Sequence, residues 1–276
     1  MVYICGNCLM KRGGSLLKQT RLTVILLASV LLLPQLTFAV TERLDPVVAD
    51  SLVQATDDPL EKADHYTDAW MDQQAIEVLE ASGVRDAETL WRLARAHINL
   101  GENMTGKAAL PLFEQALDEA QTAVDLDPEN ADAQQTLAIA CGRVALFKGV
   151  FKSLGLVKRV HEAALKAVAL NDSMQIALYV LGRTHKKLIE KPGILRGPLG
   201  IGWAKADSVA YYFEKALEVS EWNMIQCRVE YAEFLLDTAK DKTKARTMLE
   251  AALALPLRDE QDTKAKQRAE ELMKEL

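Results

Sequence analysis

The sequence predicts an all-α chain folded as a solenoid of antiparallel helix pairs, with further helices closing both ends. Three observations carry this. Half of the residues are hydrophobic (49%) but only 6% are aromatic, and Gly and Pro are few. Strand-rich folds draw on β-branched and aromatic residues and on frequent turns, which are sparse here. A string of alanine, hydrophobe, any residue and hydrophobe, followed by a helix stop, recurs along the second half of the chain. Finally, both ends of the repeat region read as short or highly charged helices, the polar caps that a solenoid needs.

The recurring string first appears as Ala123-Val124-Asp125-Leu126-Asp127-Pro128, where Pro cannot continue a helix and Asp favours the turn that caps the next one. It returns at Ala167–Asp172, at Ala216–Glu221 and at Ala252–Pro256. The leading alanines are 44, 49 and 36 residues apart, against about 34 for a plain unit, so the middle units carry insertions. Alanine suits this position because two helices approach too closely there for a larger group. First helices match too: Ala87–His97 ends in Asn99-Leu100-Gly101, and Ala133–Val144 and Ala177–Leu188 repeat its apolar spacing. These strings and the Leu181-Gly182 pair resemble the tetratricopeptide repeat. The fourth unit, Met224–Leu255, is blurred.

The links inside the units differ. Between Gly101 and Ala116 and between Ala145 and Val160 the second helices are expected to begin early, near Ala108 and Phe151. Glu190–Ala204 holds Pro192, Gly193, Gly197, Pro198, Gly200 and Gly202 and reads as a true loop. Upstream, Asp45-Pro46 and Asp58-Pro59 look like N-cap and N1 pairs, giving two or three short helices over 46–82. The resulting layout is a targeting segment over 1–39, an N-terminal helical cap over 40–86, repeats over 87–258 and a C-terminal capping helix over 259–276. In that last helix Ala265, Ala269, Leu272 and Met273 share an apolar face.

The order of these pieces resembles one branch of the repeat superfamily, the regulator of microtubule dynamics family. Asp86–Ala96, with its Leu-Trp-Arg-Leu-Ala-Arg core, carries the likeness best. Ala133–Leu170 and Tyr211–Leu272 extend it, the latter including Leu255-Pro256 and Asp259-Glu260, so that it covers roughly residues 65–275. The resemblance implies an α-solenoid adaptor without a catalytic centre. The family name implies microtubule association, and some members act as membrane tethers. Helical solute-binding components of bacterial transport systems have similar outlines, which implies a ligand-binding alternative.

The N-terminus departs from that family. Lys11, Arg12, Lys18 and Arg21 precede the apolar run Leu22–Leu33, followed by Thr37-Phe38-Ala39. A basic stretch, a short apolar core and small residues at −3 and −1 make a secretory signal, with cleavage expected after Ala39. The run is short of the ~20 residues that a span needs. The product is then periplasmic or secreted, away from cytosolic microtubules; the alternative is an uncleaved N-terminal membrane anchor. Without residues 1–39 the chain carries 29 basic and 39 acidic side chains, an acidic body that argues against nucleic acid as a partner.

Catalytic and metal chemistry find no foothold. Cys5 and Cys8 lie ahead of the apolar run without a second ligand pair. Cys141 and Cys227 fall on helices of different repeats and read as small buried side chains. His97 and His185 occupy equivalent repeat positions, which suggests packing, and His161-Glu162 lacks the second histidine of a helical zinc site. Gly200-Ile201-Gly202 is an isolated G-x-G without the strand and third glycine of a dinucleotide fingerprint. The expectation is no enzyme activity, no metal and no cofactor.

Candidate binding residues come from the repeat register, which puts first helices on the concave face. There it places Trp91, Arg95 and Asn99, then Arg143, then Tyr179, Arg183 and Lys187. Several cations in a concave surface suit an acidic partner or a carboxylate ligand; alternatively, Arg95 and Arg183 make structural ion pairs to neighbouring units. The expected function is an exported interaction scaffold whose groove takes a protein or peptide with an acidic segment. The alternatives are a carboxylate-binding transport component and a membrane tether. The loop Lys191–Trp203 is too apolar for water. It is expected to fold back against the first helices of units two and three, as a plug or as a lid.

Overall fold

A computed structural model describes residues 43–220, 224–257 and 260–276; the targeting segment expected over 1–39, with the Cys5–Cys8 pair, lies outside them. Every regular element among the described residues is helical. Three short helices come first: α1 (Pro46–Ala55), α2 (Pro59–Asp68) and α3 (Asp72–Ala81). Helices α4 (Ala87–Glu102) and α5 (Leu110–Leu126) form the first long pair, α6 (Ala131–Lys148) and α7 (Leu154–Leu170) the second. Helix α8 (Gln175–Ile189) is joined to α10 (Ala206–Glu218) through a single-turn α9 (Gly193–Arg196). Then come α11 (Ile225–Phe234), α12 (Lys242–Ala254) and α13 (Glu260–Lys274). This is a tetratricopeptide-like solenoid with capping helices at both ends.

Local chemistry sets the helix starts. Asp45 and Asp58 accept from the N–H groups of Val47 (2.8 Å) and Leu60 (2.9 Å), each with Pro at N1. Asp86, Asn130 and Asp241 accept in the same way from Thr89, Ala133 and Lys244. Such caps satisfy N–H groups that the helix leaves unpaired. The early starts of the second helices appear as single 3-10 turns, Gly106–Ala109 and Val150–Ser153, leading into α5 and α7. Gly149, at φ 79°, makes the left-handed step that separates α6 from the second of these turns.

Packing follows the alanine pattern. Ala116, Ala120, Ala123, Ala140, Ala164, Ala167 and Ala216 are fully buried. One close crossing is at Gly182 on α8. A Cβ there would lie 3.2 Å from the Phe213 ring and 3.3 Å from the Phe213 backbone nitrogen, so glycine lets α10 approach. Cys141 and Cys227 are buried and free. On α13, Ala269 and Leu272 are buried against Phe234, Leu235, Leu249 and Ala252, with Ala265 and Met273 beside them.

The segment after α8 is part loop and part helix. Ile201 is fully buried with Ala145, Val157, Leu188 and Ala204. It therefore fills space against first helices α6 and α8 and also against the second helix α7. Trp203 is half-buried, stacked on His161 with ring centroids 3.7 Å apart and edge-on to His185 at 5.1 Å. Ile194 and Leu195 on the one-turn helix point to solvent instead, 85% and 46% exposed. The loop is short between its two fixed ends, and only one of its faces can reach the core.

Candidate functional site

The concave face is built by α4, α6, α8 and α11, and its charges meet in pairs. On α4, Arg92 and Arg95 both reach back to Asp64 on α2, Arg92 through Nε at 3.0 Å and Nη2 at 2.9 Å and Arg95 through Nη2 at 2.5 Å. Burial opposes charge on Asp64, yet the Arg92 and Arg95 bonds hold its carboxyl below the usual range. Trp91 is buried, donates from Nε1 to Glu88 at 3.1 Å and carries the Arg92 guanidinium over its ring at 4.2 Å. Asn99 donates to Asp72 Oδ1 at 2.8 Å. Asp72 is 2% exposed, its Oδ2 has no partner, and burial pushes its carboxyl up to about 6.

Further along, Arg143 on α6 pairs with Glu102 at the end of α4. Tyr179 is buried and donates to Glu230 Oε1 at 3.1 Å, where Arg183 Nε also lies at 3.3 Å. Lys186 reaches Glu233 at 2.6 Å, and Arg268 of α13 meets the other oxygen of Glu233 at 2.8 Å. Burial works against a charged Glu233, but Lys186 and Arg268 hold it ionised below its ordinary range. Lys187 points away, exposed and paired with Glu190 at 3.2 Å in its own helix end.

Arg143 and Arg183 thus share one cavity of about 430 Å³ with Glu102, Glu230 and Glu233. Apolar side chains line it too: Met104, Phe113, Leu146 and Phe147. The C-terminal helix closes it, with Gln261 donating to the Glu102 carbonyl at 3.0 Å and Arg268 facing inward. Of the residues that repeat register places on the concave face, Arg143 and Arg183 line this cavity. Trp91, Arg95 and Asn99 belong to the Asp64–Asp72 network, Tyr179 lies behind Glu230, and Lys187 stands outside. Register missed the three glutamates, the Met104–Phe147 lining and α13. The pair Glu230 and Glu233, one turn apart, was the available signal, but it sits in the unit whose repeat is least clear. A second cavity, of about 600 Å³, lies beside the loop between Lys186, Arg196, Lys205 and Asp237. Among the described residues no cluster of His, Cys, Asp and Glu is placed to hold a metal, and no helix is long and apolar enough to cross a membrane.

The profile of the regulator of microtubule dynamics protein 1-3 family matches residues 59–276. Regulator of microtubule dynamics protein 3 of Bos taurus is 28% identical over 194 residues, covering 66% of this chain and 40% of that protein. Regulator of microtubule dynamics protein 1 of Bos taurus is 24% identical over 192 residues, covering 66% of this chain and 60% of that protein. The alignments therefore span less than two thirds of these relatives. The crystal structure of a thermophilic TPR protein of Thermus thermophilus superposes with a TM-score of 0.54 at 18% identity, covering 80% of this chain and 98% of that one. That likeness shows the fold alone.

Proposed function

We propose that this chain, which belongs to the regulator of microtubule dynamics family, is a non-catalytic interaction scaffold that receives a segment of a partner protein in its concave cavity. The observation that carries the reading is the cavity's mixed lining: the cations Arg143 and Arg183 together with the apolar Met104, Leu146 and Phe147. Three of these apolar side chains are partly in water, 49%, 56% and 41% exposed. A partner segment with a carboxylate beside an apolar side chain matches both kinds of lining. Because Arg143 and Arg183 already face Glu102 and Glu230, such a carboxylate binds by exchange with these acids. The export signal, read from residues 11–39, puts the partner in the periplasm or outside the cell; microtubule association stays with the relatives whose names state it.

The test keeps the fold and removes the charge. The pair Arg143→Gln with Glu102→Gln is neutral and retains a hydrogen bond across the same helices. Partners recovered from the native compartment by the wild-type chain are expected to bind the pair variant at least about tenfold more weakly, the worth of one charge-assisted hydrogen bond, with unchanged helicity. Equal recovery by both proteins would refute the cavity as the binding site.

A further inference from the structure

Charge is segregated along this chain. Residues 143–205 carry twelve Lys and Arg against three Asp and Glu, while residues 40–142 carry six against twenty-one. Six of the twelve cations are in ion pairs, such as Lys148 with Glu114 and Lys166 with Glu129. Lys152, Lys158, Lys191 and Arg196 are in none among the described residues; Arg196 donates only to the Ala204 carbonyl, at 2.7 Å.

These four converge on one edge of the solenoid. Antiparallel packing sets the C-terminus of α6, the N-terminus of α7 and the C-terminus of α8 side by side. Ile201 pins the following loop to all three, through Ala145, Val157 and Leu188. Lys158 lies directly over the loop: a Cβ on Gly200 would be 2.7 Å from its Nζ. The same edge turns large apolar side chains to water, Ile194 at 85% and Leu195 at 46% exposed. The acid nearest these cations in sequence on α7 is Glu162, one turn beyond Lys158.

Apolar side chains on a loop, ringed by unpaired cations, match the interface of an anionic bilayer. Headgroup charge attracts the cations and the acyl boundary takes the apolar tips. An acidic protein would account for the cations, but it does not call for Ile194 standing almost bare.

We infer that the edge formed by the ends of α6, α7 and α8 with residues 191–200 docks on an anionic lipid surface, Ile194 and Leu195 entering it and Lys152, Lys158, Lys191 and Arg196 meeting its headgroups. This surface is separate from the concave cavity and does not depend on it.

The test uses the full chain with phosphatidylcholine vesicles, with and without about a third phosphatidylglycerol, the membrane term scaling with lipid charge. Anionic vesicles are expected to slow amide exchange across residues 191–200; neutral vesicles are not. Ile194→Asp with Leu195→Asp, both exposed and so harmless to the core, should abolish that protection. Lys152→Glu with Lys158→Glu should weaken anionic binding at least about 30-fold, and added salt should mimic the effect. Binding that ignores vesicle charge and both variants belongs to residues outside this edge and overturns the inference. Protection of residues 191–200 by polyglutamate but not by vesicles assigns the edge to an acidic protein and overturns it equally, as does exchange that neither ligand slows.

Discussion

Acidification should loosen the segment between α8 and α10 through His185. That ring is 3% exposed. Its Nδ1 accepts from the Lys205 backbone N–H at 3.2 Å, which leaves the proton on Nε2, a buried donor without a partner. Trp203, Tyr212 and His161 surround it. Burial, helped by the neighbouring His161, pushes its pKa down to about 4. A second proton would convert the acceptor of the Lys205 bond into a donor. The free chain titrates near 6.5, so the folded state binds fewer protons than the unfolded state below neutrality. Stability linked to His185 is complete above that value and is lost as pH falls toward 4. Between pH 7 and pH 5 the loss is about 2 kcal/mol. Burial also lowers His161, against Glu162 acting the other way, so it adds in the same direction. Asp72 opposes both: its raised carboxyl takes up a proton in the folded state, returning about 1 kcal/mol over the same interval. A raw pH profile therefore mixes the two, and the measurement is a difference. Urea unfolding of the wild type and of His185→Gln at pH 7 and pH 5 should show the wild type losing about 2 kcal/mol more than the variant. The protection factors of the amides at 203–205, taken against the intrinsic exchange rate at each pH, should fall on acidification only in the wild type. An equal decline in both proteins would refute the assignment to His185.

Asp72→Asn should raise stability at pH 7.5 by about 1–3 kcal/mol, because it removes a buried charge with an unpartnered oxygen; urea midpoints at pH 7.5 and pH 4 check this, and the gain should vanish at the lower pH. Gly182→Val should cost about 2 kcal/mol, since its first atom already presses on the Phe213 ring and backbone; thermal melting reads it, and an unchanged midpoint would mean that α8 and α10 can separate freely. Mass spectrometry of the native protein should find Val40 as the first residue, and recovery of residues 10–39 in the membrane fraction would instead establish the anchor.

Most of the fold is legible because its determinants are local. Asp45-Pro46, Asp58-Pro59 and Asp86 announce helix starts that their side chains then cap. Ala123, Ala167, Ala216 and Ala252 mark close crossings where only a methyl fits, and all four are fully buried. The cavity is less legible because it is made between units. Which glutamate answers which arginine depends on the curvature of the solenoid, and no repeat period encodes that. Register puts Arg143 and Arg183 on the concave face; it says nothing of α13, whose Gln261 meets Glu102 across 159 residues of sequence. Nor does it separate Lys186, which is buried against Glu233, from its neighbour Lys187, which is not. The exposed tip at Ile194 is also hidden from sequence: an apolar loop suggests burial, and only the tertiary fold shows which of its faces finds a core.

The pairing of the inner charges has a consequence for how the cavity can act. Glu102–Arg143 ties α4 to α6, Arg183–Glu230 and Lys186–Glu233 tie α8 to α11, and Glu233–Arg268 ties α11 to the closing helix. These contacts run along the inner face like stitches, and each spans two helices that carry the curvature between them. Under the proposed reading, a carboxylate arriving at Arg143 or Arg183 would displace a glutamate that holds two units together. Occupancy and curvature are therefore linked at the same side chains, and the gap that α13 closes through Gln261 and Arg268 is where a change in curvature would be felt first. A scaffold whose cations stood free would bind acids more tightly and would change shape less on doing so.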